Sequence, residues 1–170
     1  MPSATPADVL AERRRLILSG DADGFADLFA PDAVIEAPFA PPGAPARLEG
    51  REAIREYSRH VLASPLQIED FEVAELYQTQ DPEVVIVEMR AKGTLTTTGR
   101  PFAATSIQVL RIREGQIVRF RDFANPRVLE DVIGNQRLAL SSGPRSLPAT
   151  PASGPATSSG RRPRRAEPIG

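Results

Sequence analysis

The sequence predicts an α+β domain in which helices come first and strands follow. Two observations carry this. Apolar residues recur at helical spacing up to about Leu62 and at strand spacing from Leu66 to Phe123. The second half is also punctuated by Asp81-Pro82, Gly99-Arg100-Pro101 and Glu114-Gly115, the turn residues of an antiparallel meander. Segregated elements of this kind pack as a layer of helices over a curved sheet.

Residues 8–18 form the first helix in this reading, because Val9 and Leu10 recur one heptad later as Leu16 and Ile17, with the run Arg13-Arg14-Arg15 directed to water. Ser19-Gly20 ends it. Asp21 caps a second, short helix in which Phe25, Leu28 and Phe29 fall at i, i+3 and i+4, stopped by Pro31. Val34-Ile35-Glu36 is a short strand, and the proline-dense stretch 38–45 is a loop, since proline donates nothing to a sheet and breaks helices. Gly50 opens a third helix to about Leu62, with Ile54, Tyr57, Val61 and Leu62 on one face and Arg51, Arg55 and Arg59 largely off it. Four antiparallel strands follow from Leu66, within 84–98, 102–113 and 116–123. Val128, Leu129, Val132 and Ile133 give a short C-terminal helix. The expected organisation is a flexible N-terminus over 1–6, one domain over 7–140, and a disordered Pro/Ser/Ala/Arg-rich tail over 141–170 that has too little apolar surface to offset its ordering entropy.

The composition narrows the function. With 41% hydrophobic and 25% charged residues the chain is of ordinary globular make-up, whereas 17 prolines in 170 residues require part of it to be open. Against 22 acidic residues stand 21 basic ones, so no global field draws it to nucleic acid or to an anionic membrane, and neither is expected as a partner. The basic run at 161–165 has four arginines and no aromatic residue to stack on bases, which suits a solubilising tail. Cysteine is absent, so disulfides, thiolate metal sites and a cysteine nucleophile are excluded. The N-terminus lacks a signal-peptide pattern and no stretch approaches 18 apolar residues, which predicts a cytoplasmic protein. There is no P-loop, dinucleotide fingerprint, nucleophile elbow or paired-histidine zinc motif, and the expectation is a mechanism without cofactor or metal.

The string Gly20-Asp21 through Phe29-Ala30-Pro31-Asp32-Ala33-Val34-Ile35-Glu36-Ala37-Pro38, then Gly50-Arg51-Glu52-Ala53-Ile54, resembles the SnoaL-like family of the nuclear-transport-factor-2-like superfamily. Tyr77-Gln78-Thr79-Gln80-Asp81-Pro82, residues 88–93, Thr98-Gly99 and Arg119-Phe120-Arg121-Asp122-Phe123-Ala124-Asn125-Pro126 look like its phenazine-biosynthesis A/B-type branch. The resemblance covers about residues 7–134. It implies a conical barrel: a strongly bent antiparallel sheet packed against three N-terminal helices around a pocket open at one end, with homodimers formed through the sheet. The family's known activities range over polyketide cyclases, steroid isomerases, epoxide hydrolases and dehydratases, beside members that only bind, so the fold does not name the reaction.

Asp122 is the leading candidate for chemistry, because alternation turns it inward with Val118 and Phe120, and an acid desolvated among apolar neighbours becomes a proton donor or acceptor near neutrality. The competing reading is a rim carboxylate paired with an arginine. The resemblance implies a glutamate acid/base at this position in the phenazine-type branch, one methylene longer, and a histidine beside it. His60, the single histidine, lies with Ala53 and Tyr57 on the flank of the third helix and could reach the pocket mouth; an exposed histidine near a helix C-terminus is the alternative. Tyr57 could hold a polarised oxygen, or merely pack. Further candidates to line a substrate are Glu36, Phe39 of the proline loop, Phe120, Gln108 with Ser106, and Glu88 with Arg90, the last two also readable as a cross-strand ion pair. The expectation is a small enzyme of specialised metabolism acting on a hydrophobic, carbonyl-bearing cyclic intermediate by proton-driven isomerisation, cyclisation or condensation. Its rivals are a silent binding or dimerisation module and an epoxide hydrolase, which would need a second carboxylate and an amide or arginine around one water.

Overall fold

The computed structural model describes residues 4–128, so the closing helix, the end of the domain and the tail expected from the sequence lie outside, or almost outside, the described residues. Its first helix, α1 (Pro6–Ser19), begins two residues earlier than spacing alone predicts. The cause is a capping box: the Asp8 amide donates to the Thr5 hydroxyl, the Thr5 amide donates to the Asp8 carboxylate at 2.9 Å, and Pro6 needs no partner at the first position. Gly20 ends α1 in the left-handed region, φ 70°. The second helix, α2 (Ala22–Asp27), is capped by Asp21, which accepts from the Gly24 amide at 2.8 Å.

Here the structure corrects the sequence reading. Phe29 does not extend α2 but opens a strand, β1 (Phe29–Glu36), and Pro31 lies within that strand rather than ending a helix. Phe25, Leu28 and Phe29 satisfy a helical spacing, but the Ile117 amide donates to the Leu28 carbonyl at 2.8 Å and draws the chain into a sheet. Pro31, without an amide hydrogen, is exposed where the β1 ladder is interrupted between Phe29 and Val34. A three-residue strand, β2 (Arg47–Glu49), unforeseen in the sequence, folds back on β1 after the proline loop. Then come α3 (Arg51–Leu62), β3 (Leu66–Gln78), β4 (Val84–Leu95), β5 (Arg100–Arg113) and β6 (Gln116–Ala124).

The six strands are ordered β2-β1-β6-β5-β4-β3. All neighbours are antiparallel except β1 and β6, which run parallel, so the sheet is mixed rather than wholly antiparallel as expected. Its edges, β2 and β3, do not pair with each other, and the barrel implied by the resemblance is not closed. The sheet is nonetheless strongly curled. The helix α3 touches both β1 and β3, which a flat sheet would hold about 19 Å apart at four strand spacings. Irregularities in β3 between Ile68 and Asp70 and between Val73 and Glu75 supply part of the bend.

The helices cover one face, and the core lies between. Phe29, Ile54, Val85, Val87, Leu110 and Ile117 are fully buried there. Gly93 marks the tightest approach in the sheet: a Cβ at this position would run into the Gln67 carbonyl oxygen and sit 2.8 Å from the Phe102 ring, its cross-strand neighbour. Gly93→Ala is expected to destabilise the protein by about 1 to 3 kcal/mol, the usual range for overpacking. Urea denaturation checks this, and a midpoint equal to wild type would mean that β3 yields at no cost.

Candidate functional site

Strand pairing decides which side chains the sheet encloses. Asp122 of β6 pairs with Gln108 of β5, which pairs with Val87 of β4, and this row faces the helices. The adjoining rows join Phe120, Leu110 and Val85 on one side, and Ala124, Ser106 and Met89 on the other. An irregularity between Arg111 and Ile112 inserts Val118 as an extra residue, so that Ile117 is fully buried while Val118 still packs on the core. Asp122 therefore points inward with Phe120, where alternation placed it.

The inward row holds a cation that sequence reasoning sent to solvent. Arg13 of α1 is only 4% exposed, while Arg14 and Arg15 remain open. Its guanidinium lies over the rings of Phe120 at 4.9 Å and Phe71 at 5.1 Å, and Nη1 donates to Gln108 Oε1 at 2.9 Å. Gln108 Nε2 in turn donates to Ser106 Oγ at 3.1 Å. Burial lowers the Arg13 pKa to about 10, opposed by the charge of Asp122, so it remains cationic at neutral pH. A signal for this was available: Arg13 is four residues after Val9, three after Leu10 and three before Leu16, all buried, which puts it on their stripe.

Asp122 is raised above the ordinary carboxylate range by desolvation, opposed by Arg13 and, less strongly, by Ser106 and Gln108. Its Oδ1 is enclosed without a hydrogen-bond partner, as is Arg13 Nε. Such an atom costs about 1 to 3 kcal/mol when left unpaired. The residue as a whole is half-buried. A half-buried acid with one oxygen desolvated and unpaired is suited to giving and taking a proton.

The other candidates are placed elsewhere. His60 is exposed on α3, and Tyr57 is half-buried there with its hydroxyl pKa raised by burial. Glu36 lies on the outer face of the sheet, hydrogen-bonded to Arg119 at 2.7 Å and Arg47 at 2.7 Å, with Arg121 in ion-pair range at 3.3 Å but not hydrogen-bonded, and its pKa is held down chiefly by Arg119. Glu88 and Arg90 form an ion pair with each other at 3.0 Å on that same face. Phe39 of the proline loop packs edge-on against Phe123 at 6.1 Å, and with Glu88, Thr105, Ile107 and Asn125 it lines an open cavity of about 350 Å³. Asp122, Gln108 and Phe120 are thus brought together inside; Glu36, Phe39, Glu88 and Arg90 are not. Among the described residues no three acidic or histidine side chains are grouped to hold a metal ion, and no helix is long and apolar enough to cross a membrane.

Residues 13–120 match the SnoaL-like domain family. The chain is 41% identical over 133 residues to an uncharacterized PhzA/B-like protein of Pseudomonas aeruginosa, an alignment covering 78% of this chain and 93% of that one. Among solved structures it is similar to a Bacillus subtilis protein provisionally named an isomerase, at 32% identity and a TM-score of 0.71, covering 75% of this chain and 91% of the other. It is also similar to SalBIII, an epoxide hydrolase/cyclase-like enzyme described in pyran ring formation in the polyether salinomycin, at 27% identity and a TM-score of 0.59, covering 72% and 92%.

The electrostatics predict two classes of carboxyl. In a carboxyl-detected NMR titration Asp122 should titrate above the reference of about 3.9, while Glu36 titrates below its ordinary value and Glu83, bonded to Arg113 and Arg111, near about 2. Because the folded-state pKa of Asp122 exceeds the unfolded one, its contribution to stability is full at low pH and is lost as pH rises through the folded value. A depressed Asp122 midpoint would make it an ion-pair partner of Arg13 instead.

Proposed function

We propose that this chain, which belongs to the SnoaL-like domain family and to its PhzA/B-like branch, is a small enzyme of specialised metabolism in which Asp122 moves a proton on a hydrophobic, carbonyl-bearing cyclic intermediate. The outcome of that transfer is isomerisation, cyclisation or condensation. One observation carries the reading: an inward, half-buried carboxyl beside a buried arginine, with a raised pKa and one oxygen desolvated and unpartnered. The family's structural relatives with an isomerase name and a ring-forming role are consistent with it. Asp122 takes a proton from carbon beside the carbonyl, the electron pair shifts onto the carbonyl oxygen, and the proton returns at the new position.

Epoxide opening is the second reading, favoured by Arg13 and Gln108, which supply the arginine and the amide beside Asp122. Among the described residues the two acids considered for its second carboxylate, Glu36 and Glu88, lie on the outer face. Deuterium uptake at the α-carbon of cyclic ketones, followed by NMR, tests the first reading. Wild type should accelerate exchange and Asp122→Asn should lose about 10² to 10⁴ of that acceleration with its fold intact; equal exchange in the two would remove Asp122 from the chemistry.

We further propose that two copies associate through the outer face of the sheet. Tyr77, Ile86 and Val109 form one row across it, and Ile107 and Phe123 are paired in the next, with Phe39 packed on Phe123. Phe39, Tyr77 and Ile107 are 56%, 51% and 43% exposed, a patch of the kind that marks an interface. Light scattering after gel filtration should give the mass of a dimer for wild type and of a single chain for Ile107→Arg, and a monomeric wild type would end this proposal.

A further inference from the structure

Arg13 is costly where it is. An apolar side chain would continue the stripe of Val9, Leu10 and Leu16 without desolvating a charge. The protein instead keeps a guanidinium there, close to two rings and tied to Gln108, with Nε unpartnered and, among the described residues, no direct ion pair to a carboxylate. Asp122 is the acid that its charge reaches, yet no hydrogen bond joins the two. The other charges on the elements around them are turned away: Arg14 pairs with Asp70 at the surface, Arg15 with Glu12, Arg119 and Arg121 with Glu36 on the outer face, and His60 is exposed. Among the described residues the enclosed row therefore holds one cation that keeps its charge and one acid whose charged form burial disfavours.

This inference rests on the reading of Asp122 as the group that moves the proton, and deepens it. We propose that Arg13 is the positioning residue of the site and sets its substrate class: its fixed charge beside Asp122 favours compounds whose reacting oxygen becomes anionic, enolisable ketones and phenols, and disfavours amines. When Asp122 takes a proton it becomes neutral, and negative charge passes to the substrate oxygen. Arg13 is then the enclosed positive charge left to stabilise it, in surroundings where such an interaction is stronger than in water.

The probe is 4-nitrophenol, whose absorbance distinguishes phenol from phenolate, with benzylamine as the cationic control. Wild type should bind the phenolate and not benzylamine. Arg13→Met should weaken phenolate binding about tenfold or more, and Arg13→Lys should recover part of it. In parallel, the Asp122 carboxyl midpoint should move up in Arg13→Met and return towards wild type in Arg13→Lys, as loss and return of a neighbouring positive charge require. Binding of the neutral phenol, equal phenolate affinity in Arg13→Met, binding of benzylamine, or no binding of 4-nitrophenol by wild type would each overturn the proposal. If Arg13→Met does not fold, the wild-type choice between phenolate and benzylamine still decides it. Loss of the Asp122 reading shows separately, as deuterium exchange unaffected by Asp122→Asn.

Discussion

The strand β6 lies between β1 and β5, parallel to one and antiparallel to the other, and this double pairing fixes everything the sheet encloses. Side chains alternate across a strand, so a slip of one residue would bury Arg121 and expose Asp122. Two neighbours and one inserted residue at Val118 hold the register. Ile117, Phe120 and Asp122 go in, and Arg119, Arg121 and Phe123 go out.

That division gives one protein two kinds of carboxylate. Outside, Glu36 is gripped by Arg119, Arg47 and Arg121 and is held ionised. Inside, Asp122 has a cation near it but not bonded to it, and burial outweighs that cation. Both sit beside arginine, so the difference comes from contact and solvent rather than from residue type. Direct hydrogen bonds stabilise the charged form of Glu36, whereas desolvation penalises the charged form of Asp122.

The curl of the sheet extends this separation to larger features. By bending over α1 and α3 it brings Phe71 of β3 and Phe120 of β6, three strand spacings apart, to one guanidinium, at 5.1 and 4.9 Å. The outer face keeps the apolar rows, the open cavity beneath Phe39 and the paired charges of Glu88 and Arg90. Features that look alike in composition, an acid near an arginine among phenylalanines, thus occur twice on opposite faces with different surroundings.

The sequence by itself determined what depends on near neighbours. Turn residues placed the four-strand meander, Gly50 opened α3, and alternation alone turned Asp122 and Phe120 inward, because these follow from backbone geometry over a few residues. The strings around Gly20 and Arg119 were enough to point to the SnoaL-like family. Tertiary structure decided what depends on a distant partner. Phe29 fits a helical spacing but belongs to a strand because β6 supplies its hydrogen bonds. Glu36 read as a possible pocket acid until the sheet gave it arginines on its outer face, and Glu88 lines a cavity on that outer face rather than joining the inward row. Arg13 belongs by spacing to the apolar stripe of α1 and by chemistry to water. The rings of Phe71 and Phe120 and the amide of Gln108, contributed by three different strands, offset part of its desolvation inside.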